Sequence, residues 1–113
     1  MDQRTIARLR AELEARRAEL TRGSATTVAD RDPVALDQQS VGRLSRMDAI
    51  QQQAMALEAE RRRQGNLRRI EAALERIAAG TYGECTACGE PIGPKRLDLD
   101  PAVPTCIACA GRG

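Results

Sequence analysis

Only one aromatic side chain, Tyr82, occurs in this 113-residue chain; Trp, Phe and His are absent. Aromatic rings supply much of the buried area of a small core, so an ordinary compact globule is not expected. Residues 1 to 79 are dominated by Ala, Leu, Arg, Glu and Gln, the mixture of long or coiled-coil helix rather than sheet. The missing histidine removes the most versatile general base near neutral pH. No Ser or Cys sits in a recognisable nucleophile setting, and no enzymatic function is expected.

Periodicity divides the helical part. Ile6, Leu9, Leu13 and Leu20 follow one another at steps of three, four and seven, which draws one narrow apolar stripe along a first helix. Gly23, followed by Ser24, Thr26 and Thr27, is expected to end it. Asp32 and Pro33 read as N-cap and first position of a short helix to about Val41, which Gly42 breaks. No proline occurs from Leu44 to Ala79, and Met47, Ile50, Ala54, Leu57 and then Leu67, Ile70, Leu74, Ile77 keep helical spacing. One helix of roughly 35 residues, about 50 Å long, follows. The polar run of residues 58 to 66 separates its apolar blocks; Gly65 there costs about 1 kcal/mol relative to Ala without ending the helix.

A stripe so narrow needs a partner. Pairing Ile6 with Ile77, Leu9 with Leu74 and Leu13 with Ile70 gives an antiparallel hairpin in which Val34 and Val41 face Ala54 and Met47. Its tip lies near residues 42–48. A second register, Leu20 with Met47, Leu13 with Ala54 and Leu9 with Leu57, makes a shorter hairpin that leaves Ile70 to Ile77 unpaired. The first is preferred because it buries both blocks; burial of the stripes in a homo-oligomeric bundle is the alternative. The fold class is therefore mainly α, with a helical hairpin over residues 1–79 and a cysteine module over 80–113.

The module carries the chemistry. Cys85 and Cys88 form one C-x-x-C, Cys106 and Cys109 another, seventeen residues apart, which is the spacing of a four-cysteine zinc site. Gly83, Gly89 and Gly93 give the backbone freedom that tight knuckles require. Four thiolates complete a tetrahedral Zn2+ shell and leave no position for a catalytic water, so the metal is structural. Disulfides and a redox pair rank lower, because the N-terminus lacks a secretory signal and no βαβ pattern is present. An iron-sulfur cluster also ranks below zinc.

Charge argues about partners. The chain has 18 Lys plus Arg against 16 Asp plus Glu, a net +2, too balanced for a dedicated phosphate-backbone binder. Direct DNA binding is accordingly not favoured. No run of eighteen apolar residues suggests a membrane span, and a cytoplasmic protein is expected. Arg61, Arg62, Arg63, Arg68 and Arg69 spread around the helix, and a solvated face with acidic partners such as Glu58 is the expected role. Asp98, Asp100 and Glu90 read as solvated turn residues; Lys95 and Arg96 read equally as contacts or as solubilising charge.

Residues 80–110, GTYGECTACGEPIGPKRLDLDPAVPTCIACA, directly follow a long Arg- and Glu-rich helix. Gly80, Tyr82-Gly83 before Cys85, Cys88-Gly89, Ile92-Gly93, Arg96-Leu97, Pro101 and Cys106-x-x-Cys109 together resemble the zinc-finger region of the DksA/TraR family, the DnaK suppressor proteins. The resemblance extends in architecture to the hairpin. It implies a bacterial transcription regulator that binds RNA polymerase, inserting a coiled coil into the secondary channel so that acidic tip residues act near the active site, often with the alarmone ppGpp.

This chain departs from the family's D-x-x-D-x-A tip. Asp32-Pro33-Val34-Ala35-Leu36-Asp37 keeps the first Asp but has Ala35 where the second belongs. Counting back from Cys85 along the long helix places the tip instead at residues 42–49, where Asp48 is the surviving acid. Arg43, Ser45, Arg46 and Asp48, with Asp37, are the candidate partner-binding residues. The chain stops four residues after Cys109, without the C-terminal helix or N-terminal extension of longer members, so ppGpp binding is left open. A zinc-containing nucleic-acid binder and a structural coiled-coil adaptor are the rival functions.

Overall fold

Helix α1 (Gln3–Thr26) starts at a side-chain cap: the Asp2 carboxylate accepts the Thr5 backbone N–H at 2.7 Å, satisfying one of the donors that a first turn leaves free. The computed structural model describes residues 1–34 and 43–112, with the side chains of 43 and 44 left aside. Helix α2 (Arg43–Ala79) is a single element of 37 residues, about 55 Å long, and it runs through Gly65 unbroken. Its end is set by backbone chemistry. Gly80, at φ 80°, donates to the Ile77 carbonyl, and Thr81 N–H reaches the Arg76 carbonyl at 3.0 Å. This pair of hydrogen bonds closes a helix when glycine can take the left-handed conformation.

The finger that follows contains α3 (Pro94–Leu99), α4 (Ile107–Ala110) and one isolated bridge, Glu84 with Pro91. Among the described residues there is no other strand pairing. The molecule measures 63 × 30 × 20 Å with a radius of gyration of 19.5 Å, against about 13 Å for a compact chain of this size. It is a rod with a small folded foot, the mainly α hairpin that the apolar spacing predicts.

The cross-helix contacts select the first register. Ser24 lies opposite Glu60, their side chains bonded at 2.6 Å, and Gly23 lies against Arg63; both continue the Leu13–Ile70 pairing along the rod. The seam differs in one detail, since Ala73 rather than Leu74 is fully enclosed. Ile70, Ala73 and Ile77, at steps of three and four, face α1, while Leu74 is only partly covered.

Three expectations are corrected. Helix α1 continues through Gly23 to Thr26, because α2 packs beside it there. The helix expected to begin at Asp32 does not: Val28–Arg31 forms a 3-10 turn, Asp32 closes it through a bond to the Ala29 carbonyl, and Pro33 and Val34 are non-helical. The remainder of that stretch lies outside the described residues. The distal apolar block is not buried, since Met47, Ile50, Ala54 and Leu57 are exposed. Beside the inner part of that block, residues 28–34 form a 3-10 turn and non-helical backbone, which offers polar contacts, such as the Asp32 carbonyl accepting Gln53 Nε2 at 2.7 Å.

One core joins hairpin and foot. Leu9 and Leu13, 1% and 0% exposed, pack in a single cluster with Ile70, Ala73 and Ile77 of α2 and with Tyr82, Cys85, Ile92, Leu97, Ala102 and Val103 of the finger. The finger thus caps the seam's open end and supplies apolar area that two narrow stripes lack.

Candidate metal centre and hairpin tip

Two short knuckles bring the cysteines together. In the first, Gly89 at φ 79° turns the chain so that its N–H reaches the Cys85 carbonyl at 2.8 Å, and Cys85 N–H reaches the Glu90 carbonyl at 2.8 Å. In the second, Cys106 precedes α4 and its carbonyl accepts Ala110 N–H at 2.9 Å. Thr86 N–H bonds the Pro104 carbonyl at 2.9 Å, and Arg96 Nε bonds the Thr105 carbonyl at 3.0 Å. The first bond holds one knuckle against the other, and the second ties α3 to the segment that carries Cys106. Arg96 is therefore a scaffold contact rather than only a solubilising charge.

The Sγ atoms of Cys85, Cys88, Cys106 and Cys109 all lie within 4.8 Å of one another. All four are free thiols, and Cys88 and Cys106 sulfurs stand 3.8 Å apart. That separation is far beyond a disulfide bond and equals the edge, about 3.8 Å, of a tetrahedron with 2.3 Å zinc–sulfur bonds. Backbone N–H groups, Cys106 foremost, bring the Cys85 thiol down to about 6. Cys109, hydrogen-bonded by Cys106 and then Cys88 and Cys85, is pushed up to about 12. Four sulfurs this close cannot all ionise beside one another, and a bound dication removes that conflict by deprotonating its thiol ligands. The donor set fits zinc.

The finger is fastened to both helices of the rod. Asp98 pairs with Arg8 of α1 at 2.9 Å, and Asp100 pairs with Arg69 of α2. Asp100 also accepts the Ala102 N–H at 3.2 Å, and the Tyr82 hydroxyl donates to the Pro101 carbonyl at 2.8 Å. The solvated-turn expectation for Asp98 and Asp100 is thus corrected: both are half-exposed struts. No sequence signal marked them, because their partners are 90 and 31 positions away.

Three of the five arginines between residues 61 and 69 are paired with carboxylates. Arg61 pairs with Glu58, as expected of a solvated face, Arg63 with Glu60 and Arg69 with Asp100. Arg62 and Arg68 remain exposed. Ser45, Arg46 and Asp48 are exposed on the first turns of α2, some 50 Å of helix away from the cysteines. Arg43 opens the same helix, with its side chain outside the described set, and Asp37 lies outside the described residues altogether. Among the described residues no helix is long and apolar enough to cross a membrane.

Residues 80–112 match the family model of the prokaryotic dksA/traR C4-type zinc finger. The RNA polymerase-binding transcription factor DksA of Haemophilus influenzae is 35% identical over 63 residues, which cover 54% of this chain and 43% of that protein. An uncharacterised protein of Aquifex aeolicus is 50% identical over 44 residues, covering 39% of this chain and 30% of its own length. The match therefore spans less than half of either curated relative. The solved structure of transcription factor DksA2 from Pseudomonas aeruginosa superposes with a TM-score of 0.78 at 31% identity, covering 99% of this chain and 84% of that one. Together with the four-sulfur geometry, the C4 match makes zinc a structural cofactor here.

Proposed function

Since the chain belongs to the DksA/TraR family, we propose that it regulates transcription by binding RNA polymerase and inserting its hairpin into the secondary channel. The observation that carries this reading is the shape: a rod 63 Å long, slender in both other directions, with the first turns of α2 at the end remote from the cysteines. A stiff helix pair of this length can deliver a few side chains into a narrow pore. Zinc, when bound, locks the two knuckles and takes no part in chemistry. Arg43, Ser45, Arg46 and Asp48, with Asp37, would make the working contacts at the tip, and a polymerase partner places the protein in the cytoplasm. The role is that of a binding factor, not an enzyme.

The surface supports a protein partner over a nucleic-acid one. Three of the five arginines that a duplex binder would use are paired with carboxylates, whereas Met47, Ile50, Met55 and Leu57 form exposed apolar positions along the distal rod. Such side chains suit contact with protein walls. The test is retention of core RNA polymerase by the purified protein, together with a changed yield from a ribosomal RNA promoter in vitro. Absence of both effects at saturating protein overturns the proposal. Duplex binding that falls steeply with salt would favour the nucleic-acid reading instead.

A further inference from the structure

The apolar seam of the hairpin stops part-way along the rod, and a charged clasp takes its place. Glu60 of α2 accepts the Ser24 hydroxyl at 2.6 Å, the Gln64 amide at 2.9 Å, Arg63 at 3.1 Å and Arg31 at 3.3 Å. Arg31, in the turn after α1, also reaches the Thr27 hydroxyl at 2.7 Å and the Ser24 carbonyl at 3.0 Å. Thr27 Oγ1 donates to the Gly23 carbonyl at 2.7 Å. These bonds satisfy carbonyls that the end of a helix leaves free. Gly23 admits the Arg63 side chain against α1: a Cβ there would stand 3.2 Å from Nε. The side chains of Arg31, Glu60 and Arg63 are only 17%, 16% and 25% exposed.

An apolar stripe that repeats at steps of three, four and seven fixes a face, but it is a weak determinant of alignment. Sliding one helix by two turns sets similar side chains against each other. A largely enclosed polar cluster is different, because any slip leaves carboxylate and guanidinium groups without partners. Only one alignment gives Glu60 a donor from α1, one from the following turn and two from its own helix. Single polar groups fix register in helical pairs by this logic.

We propose that Glu60, with Ser24 and Arg31, is a positioning device: it selects one hairpin register and fixes the height on α2 at which the chain leaves α1 for the tip. The consequence for tip delivery rests on the polymerase reading; the alignment role does not. Removing one partner of such a clasp leaves the other unpaired and costs stability, whereas replacing the partners together by apolar groups is often neutral or stabilising; crosslinks are therefore read well below each variant's melting temperature. Register and stability can therefore be separated by experiment.

The test uses the full-length, zinc-loaded protein with a photo-crosslinking side chain in place of Ala29, which shares a groove with Gln52, Gln53 and Ala56. With Glu60 intact, internal crosslinks are expected to collect on residues 49–56. Glu60→Leu, and separately Arg31→Met, are expected to scatter them over neighbouring turns of α2 while helix content and zinc content stay unchanged. Glu60→Gln, which retains an acceptor oxygen, should restore the single pattern. A wild-type crosslink pattern in both Glu60→Leu and Arg31→Met overturns the proposal. A second crosslinker at residue 45, with polymerase present, reads the consequence: Glu60→Leu should disperse the contacts made on polymerase. Should residue 45 of the unaltered protein capture no polymerase, the functional proposal falls, and the internal pattern still decides the clasp.

Discussion

Tyr82→Phe removes one oxygen from the junction between rod and foot, and its effect can be worked out in advance. The hydroxyl donates to the Pro101 carbonyl at 2.8 Å; Tyr82 is 8% exposed, and Pro101 is fully enclosed. Deletion loses a net hydrogen bond and leaves a buried carbonyl unsatisfied, together about 1–3 kcal/mol. At roughly 4 °C per kcal/mol for a chain of this size, the melting temperature should fall by about 4–12 °C, followed by far-ultraviolet circular dichroism of the zinc-loaded protein. A pH series sharpens the test. Burial raises the phenol to about 12, with Arg76 drawing it partly back. The folded protein thus keeps Tyr82 neutral where an unfolded chain ionises near 10, so this contribution is complete below pH 10 and lost as the pH climbs to 12. Two pH units correspond to at most about 2.7 kcal/mol, and partial solvent contact reduces that to about 1 kcal/mol. The wild-type protein should lose this increment between pH 10 and 12, and the Phe variant should not. Equal melting temperatures at pH 7, or parallel losses in both proteins at high pH, would refute the packing argument.

Leu13→Ala, at the fully enclosed centre of the seam, should cost about 3–5 kcal/mol, whereas Met47→Ala, on the exposed distal rod, should change the thermal midpoint by less than a degree or two. Glu60 is held down to about 2, chiefly by the Ser24 hydroxyl. Its contribution is therefore present above pH 4.5 and lost as the pH falls toward 2, and acid melts of Glu60→Gln should lack that component. Asp98→Ala and Asp100→Ala each break a half-exposed strut of the kind that contributes little in water, so small additive falls in melting temperature are expected, with full zinc retention by metal assay. Cys106→Ser should abolish stoichiometric zinc and raise amide exchange across residues 80–112, because metal binding in such modules supplies on the order of 10 kcal/mol of folding free energy. Unchanged exchange in the metal-free variant would contradict a structural role.

What could be read from the chain depended on how local the signal was. The cysteine pairs are closely spaced within each knuckle and chemically unambiguous, so the donor set was legible in the residue order alone. Helical spacing likewise revealed two stripes and an antiparallel pairing. Periodicity names a face, not its neighbour, and so the Met47 to Leu57 block looked buried although its apolar side chains stand exposed. Asp98 and Asp100 looked like loop solvation because Arg8 and Arg69 are remote in sequence. Glu60 was hidden inside the polar run that separates the apolar blocks; only three-dimensional proximity to Ser24 and Arg31 shows it as the centre of a clasp.

The common core also has a temporal side. Leu9 and Leu13 are enclosed by side chains from residues 70–77 and 82–103, so α1 gains its packing partners only after those later segments have left the ribosome. Contacts of such long sequence separation are slow to close, and α1 must wait as a bare amphipathic helix. Packing of α1 therefore waits on the segment that carries the finger.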